Sequence, residues 1–179
     1  FRSMYLEVGE IFTVRELLQG LLIHSSNDAA VVLAKYVSGS VEEFANLMNE
    51  EAKKAGALNT HFNNPHGLPD ENHYTTPYDM AMLARKAMSE KTIREIVNTK
   101  SISFKEKNTP NSKVHFSRYF TNTNLFLTSN DNMNYKGQSV PIKYDIVDGI
   151  KTGYTDDAGR CLLSSAVKND MRVIAAVLK

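Results

Sequence analysis

The last third of the chain sets three strand-like runs in quick succession, and that spacing constrains the fold more than any other feature. Ile150 to Thr155, Cys161 to Val167 and Met171 to Leu178 read as strands, with turns at Asp156 to Gly159 and Lys168 to Asp170. Connections this short leave no room for a crossover, so the strands pair antiparallel.

Helical grammar dominates upstream. Val14, Leu17, Leu18, Leu21 and Leu22 recur at helical spacing, and Thr13 with Glu16 forms a capping box ahead of them. The same signal returns at Ser40 to Glu43, before Val41, Phe44, Ala45, Met48, Ala52 and Ala55. It appears again at Thr76 to Asp79, with Pro77 at the first helical position before Met80, Leu83, Ala84 and Ala87. His24 to Asn27 interrupts one helix, and the Ala-rich run from Ala29 to Ala34 starts another, so Ser25 to Asn27 is expected on a tight inter-helix turn. A short helix is expected near Glu90 to Val97. Leu58 to Thr75, rich in Asn, His, Pro and Gly, reads as an irregular surface connector. Ser101 to Phe104 and Val114 to Phe116 carry period-two patches between the polar stretches Lys105 to Lys113 and Ser129 to Gln138, with Asn108 to Lys113 the expected flexible point. Helices followed by an antiparallel meander give an α+β fold, a helical cluster packed on an antiparallel sheet.

With 179 residues, 42% hydrophobic and 23% charged, the chain suits one domain with a real core. A net charge of +1 gives no reason to expect nucleic acid as a partner. No apolar run approaches the roughly 18 to 20 residues that cross a bilayer. The single cysteine, Cys161, excludes an internal disulfide and reads as an ordinary strand residue. The chain opens on Phe1 and closes inside the apolar run Val173 to Lys179, so it is expected to be a partial domain, residues 1–179, incomplete at both ends.

Two short motifs carry chemistry. Lys151-Thr152-Gly153 sets an ammonium and a hydroxyl beside a residue with no side chain, on a strand where an anionic group can approach. An edge-strand lysine that discourages aggregation is the competing explanation. Ser25-Ser26-Asn27 offers a hydroxyl able to relay a proton and an amide able to hold a peptide group, against local helix capping by Ser26 or Asn27. His24, His61, His66, His73 and His115 show no metal-ligand spacing, and the loop holding His66, Asp70, Glu71 and His73 reads as self-tied rather than ion-binding. No metal and no cofactor is expected.

These motifs, with Asn27-Asp28-Ala29-Ala30, Asn64-Pro65-His66-Gly67-Leu68, Tyr74 to Ala81 and Val147 to Thr155, resemble the low-molecular-weight penicillin-binding proteins, and among them the serine D-alanyl-D-alanine carboxypeptidases. The resemblance runs over nearly the whole chain and implies the fold shared by DD-peptidases and β-lactamases, whose motif set is Ser-x-x-Lys, Ser-Asp-Asn and Lys-Thr-Gly. Ser26 stands at the middle position in place of Asp, nearer the carboxypeptidase pattern. The activity implied is acyl transfer on peptidoglycan stem peptides ending in D-Ala-D-Ala, with β-lactam antibiotics reacting as mimics. By that resemblance Lys151 and Thr152 hold the terminal carboxylate, Gly153 clears space, and the Tyr154 N–H is one oxyanion donor. Ser25 takes part in proton transfer and Asn27 orients the peptide. An extracytoplasmic, cell-envelope location follows from the same resemblance, with membrane attachment only through segments outside this chain.

The resemblance has one gap. No Ser-x-x-Lys precedes Ser25, and the single instance, Ser165-Ala166-Val167-Lys168, spans a strand end whose alternation sends Ser165 and Lys168 to opposite faces. The 179 residues alone are therefore expected to be inactive. Three alternatives follow: part of a D-Ala-D-Ala carboxypeptidase lacking its nucleophile segment, a non-catalytic module that binds D-Ala-D-Ala peptide, or part of a related β-lactamase or transpeptidase.

Overall fold

The computed structural model describes residues 2–105 and 117–179. In chain order it contains α1 (Val14–His24), α2 (Asn27–Ser38), α3 (Val41–Lys54), α4 (Pro77–Ala87) and α5 (Lys91–Val97), then β1 (Ser101–Phe104), β2 (Arg118–Thr121) and the one-turn α6 (Leu125–Thr128). The strands β3 (Asn132–Tyr135), β4 (Gln138–Pro141), β5 (Val147–Thr155), β6 (Gly159–Lys168) and β7 (Met171–Val177) complete it. The strands form two antiparallel pairs, β1 with β2 and β3 with β4, and the antiparallel sheet β5-β6-β7.

The capping signals set the helix starts. Thr13 Oγ1 accepts the Glu16 N–H at 3.1 Å while Glu16 accepts the Thr13 N–H at 2.8 Å, closing the capping box of α1. Ser40 and Thr76 accept the Glu43 and Asp79 N–H groups at 3.0 and 3.1 Å. Asp79 does not complete a second box. Its carboxylate, 1% exposed, takes the Asn59 N–H and the Thr60 hydroxyl, both at 2.7 Å, and so ties residues 58–75 to α4.

Two apolar clusters hold the layers together. Met4, Leu17, Ala29, Leu33 and Phe104 join the N-terminal segment, α1, α2 and β1, and Met4 packs on Gly20 where a side chain on α1 has no room. Ala84, Met88, Val97 and Ile150 join α4 and α5 to the sheet. Gly149 is fixed by this second cluster, because a Cβ there would lie 2.8 Å from Val97 Cγ2. Polar straps reinforce both. Asp28 accepts the Ser3 hydroxyl and the Met4 and Leu6 N–H groups at 2.7, 2.9 and 3.0 Å. Arg118 donates to both Glu10 carboxylate oxygens at 2.9 Å and to the Met4 and Tyr5 carbonyls at 2.6 and 3.0 Å.

Two elements depart from the sequence expectation. The polar stretch Ser129 to Gln138 holds β3 and the start of β4 instead of a plain connector. Every residue of β3 is exposed, so no period-two apolar pattern announces it, and its signal lies in the turn, where Lys136 and Gly137 both take positive φ (52° and 80°). The α6 turn was likewise too short for periodicity to reveal. The strand patch at Val114 to Phe116 and the flexible point at Asn108 to Lys113 lie outside the described residues; β1 pairs with Arg118–Thr121.

The Arg118–Glu10 pair, with side chains 2% and 1% exposed, gives a direct stability test. Glu10→Ala removes both carboxylate contacts from a buried guanidinium and should lower unfolding free energy by about 3–5 kcal/mol in urea titration. A loss below about 1 kcal/mol, the range of an exposed pair, would contradict this role.

Candidate active site

A cavity of about 910 Å³ lies between the helices, the 58–75 loop and β5. Its centre is set by the α1–α2 turn. Ser25 ends α1 in the left-handed region at φ 67°, a conformation uncommon for a residue with a side chain, and its N–H still bonds Leu21 O at 3.0 Å. Ser26 occupies the N-cap of α2, is fully buried, and makes no capping bond; its Oγ has no partner among the described residues. Neither side chain of the turn is needed to start α2. The Asn27 N–H instead bonds Arg2 O at 2.9 Å, seating Arg2 beside the turn.

Across the cavity, Lys151 on β5 reaches α1. Its Nζ donates to Ser25 Oγ at 2.8 Å and to Thr152 O at 2.8 Å. No carboxylate pairs with it among the described residues, so one of its three donors remains for an incoming group. Burial, and then the positive charge of Arg2, lowers its pKa to about 8. Burial also lowers the pKa of the adjacent His24, whose ring stacks on Phe120 with centroids 4.0 Å apart.

Thr152 Oγ1 lies 2.6 Å from Thr123 Oγ1, which orients the hydroxyl. Gly153 is exposed, and the nearest neighbour of a Cβ built there would be Cys161 Cβ at 3.8 Å, an ordinary contact. Nothing in the protein's own packing demands glycine at that point, in contrast to Gly149. The strand edge is bare toward the cavity. Tyr154 follows, exposed, with its hydroxyl 3.1 Å from Asp156 Oδ1. Ser25, Asn27, Lys151, Thr152, Gly153 and Tyr154 thus line one cavity. The sequence motif Ser165 to Lys168 lies elsewhere: Ser165 is buried against Arg172, and Lys168 is exposed.

The connector from Leu58 to Thr75 contributes more than the sequence suggested. Phe62, Asn64, His66 and His73 form part of the cavity wall. His66 Nδ1 accepts the Leu68 N–H at 3.2 Å and His73 Nδ1 accepts the Asn63 N–H at 3.0 Å, which leaves each Nε2 as the protonated nitrogen of a neutral ring. Burial lowers both pKa values. The loop's Asn and His density was the available signal, but their bonds to backbone 2 to 11 residues away could not be read from composition. Among the described residues no three His, Cys, Asp or Glu side chains cluster as metal ligands.

A sheet-borne Lys-Thr-Gly edge facing a Ser-x-Asn helix turn across one cavity matches two of the three motifs that mark the penicillin-binding protein and class A β-lactamase fold class. The family model described as D-alanyl-D-alanine carboxypeptidase, peptidase S11, matches residues 1–179, and the chain belongs to that family. It is 40% identical over 175 residues to the D-alanyl-D-alanine carboxypeptidase DacF of Bacillus subtilis strain 168, covering 98% of this chain and 40% of that protein. It is 39% identical to DacC of Escherichia coli strain K12, covering 98% of this chain and 38% of that one. Among solved structures, the Streptomyces K15 DD-transpeptidase superposes with a TM-score of 0.84 at 32% identity, over 99% of this chain and 64% of that chain. DacD of Francisella tularensis gives a TM-score of 0.76 at 30% identity, over 99% of this chain and 50% of that chain. The chain spans about two-fifths of the length of these two curated relatives.

The setting of Lys151 predicts its titration. Its folded pKa lies below the unfolded value, so between about pH 8 and the normal lysine range the unfolded chain binds more protons and stability rises with pH. Charge on Nζ is present below about 8 and lost above it. Side-chain NMR of Lys151 should give a midpoint near 8 that moves up in Arg2→Ala; a midpoint above 10 would contradict the burial.

Proposed function

We propose that the chain is the substrate-holding part of a serine-type D-Ala-D-Ala carboxypeptidase acting on peptidoglycan stem peptides at the cell envelope. Its nucleophile would come from a Ser-x-x-Lys segment outside these residues. The observation that carries this is the 2.8 Å contact of Lys151 Nζ with Ser25 Oγ beside the open edge at Gly153.

In this mechanism the substrate's terminal carboxylate binds the free donor of Lys151 and the Thr152 hydroxyl. Gly153 lets the peptide approach the strand, and the Asn27 amide holds its backbone. The serine Oγ attacks the carbonyl carbon of the scissile amide. Charge develops on the carbonyl oxygen, which the Tyr154 N–H stabilises with the N–H of the nucleophilic serine. As the C–N bond breaks, a proton passes through Ser25, held by Lys151, to the departing D-alanine amine. Water then releases the acyl group as the free acid and regenerates the serine. Penicillin follows the same first step, its ring amide standing for the dipeptide. The proposed setting is extracytoplasmic; no helix among the described residues is long and apolar enough to cross a membrane.

The test uses the full-length protein. A fluorescent penicillin should label it at the serine of a Ser-x-x-Lys outside this chain, and the 179 residues alone should label at neither Ser25 nor Ser165. Ser25→Ala should slow turnover about 10²–10⁴-fold, the usual worth of a positioned proton carrier. Lys151→Ala should weaken carboxylate recognition, seen as a raised KM. Wild-type kinetics in either variant would remove that residue from the site. Binding of D-Ala-D-Ala peptide without turnover would favour a non-catalytic module, and rapid penicillin hydrolysis a β-lactamase.

A further inference from the structure

The cavity wall carries Arg2, Lys151 and Arg160 and not one aspartate or glutamate. A single terminal carboxylate accounts for Lys151. It leaves two guanidinium groups facing a cavity with no anion of the protein's own to meet them, an arrangement suited to a ligand bearing more than one negative charge.

Arg160 has the better-defined place. The β5–β6 register sets it directly opposite Tyr154, and its guanidinium carbon lies 5.7 Å from the centroid of the Tyr154 ring. The bond from the Tyr154 hydroxyl to Asp156 steadies that ring at 3.1 Å. Among the described residues no carboxylate pairs with Arg160. An aromatic face that supports a guanidinium while leaving its donor edge free prepares it for bidentate capture of a carboxylate.

Direction along β5 says which part of a ligand Arg160 meets. On the proposed function, on which this inference rests, the leaving D-alanine lies at Lys151 and Thr152 and the scissile carbonyl at Tyr154. The acyl side therefore continues past Tyr154 toward the β5–β6 turn, beyond which Arg160 lies at the start of β6. An extended peptide advances roughly 3.3 Å per residue, which puts the residue before the penultimate D-alanine beside the Tyr154–Arg160 pair.

We propose that Arg160 is a specificity-determining residue that receives a carboxylate on the side chain of that residue. It selects stem peptides built on a dicarboxylic diamino acid such as 2,6-diaminopimelate over those built on lysine, which differs by that one carboxylate. Exclusion of acidic side chains from the wall keeps the arginine available, and the gain is a difference between two ligands that share every other contact.

The experiment compares two pentapeptides, identical except for diaminopimelate or lysine at that position, in turnover and in fluorescence-anisotropy binding to the full-length protein. Wild type should prefer the diaminopimelate peptide about tenfold in kcat/KM, chiefly through KM, as expected for one charge-assisted pair made in ground and transition states alike. Arg160→Gln should slow only that peptide and abolish the preference, and Arg160→Lys should restore part of it. Equal losses on both peptides, or an unchanged preference in Arg160→Gln, would overturn the inference and leave the reaction standing. Charge-selective binding without turnover would remove the reaction and keep Arg160; neither selectivity nor turnover would remove both.

Discussion

A partly buried ammonium without a carboxylate partner organises this molecule. Lys151 Nζ meets Ser25 Oγ and Thr152 O, each at 2.8 Å, and nothing negatively charged pairs with it among the described residues. A lysine placed so is costly to fold around, and the lowered pKa is the expression of that cost. Strain of this kind collects where a ligand is meant to supply what the protein withholds.

Much of the remaining structure keeps the two ends of that contact in place. Ser25 sits in a left-handed turn flanked by α1, capped at Thr13, and α2, whose small residues Ala29, Ala30 and Ala34 pack inward. Asp28 and Arg118 strap the N-terminal segment over this pair, and Asn27 fixes Arg2 beside it. On the other side, Gly149 lets β5 press against Val97, so that the following residues arrive at the cavity at a fixed depth. Asp79 anchors the loop that closes the wall with His66 and His73.

The helix starts, the antiparallel sheet and the pairing of the two motifs were legible in the sequence, because capping boxes, short turns and apolar periodicity are local signals. Three things were not. The β3–β4 hairpin is exposed on every β3 position and carries no buried pattern. The role of residues 58–75 in the cavity depends on Asn49 and Asp79, which bond to the loop from two different helices. The reasons for the two glycines of β5 differ in kind, since Gly149 answers to Val97 and Gly153 to open space, and both look alike in one dimension. The sequence leaves the Ser-x-Asn turn open between capping and chemistry; in the structure Ser26 makes no capping bond and Lys151 Nζ donates to Ser25 Oγ, which supports the proposed chemical role.

A double-mutant cycle measures most directly whether Ser25 and Lys151 act as one unit. Acylation of the full-length protein by penicillin would be followed for Ser25→Ala, Lys151→Met and the pair. Strong non-additivity is expected, with the double variant no slower than the slower single one, because either change already breaks the contact. Losses that simply multiply would mean that the two residues act independently, and would contradict it.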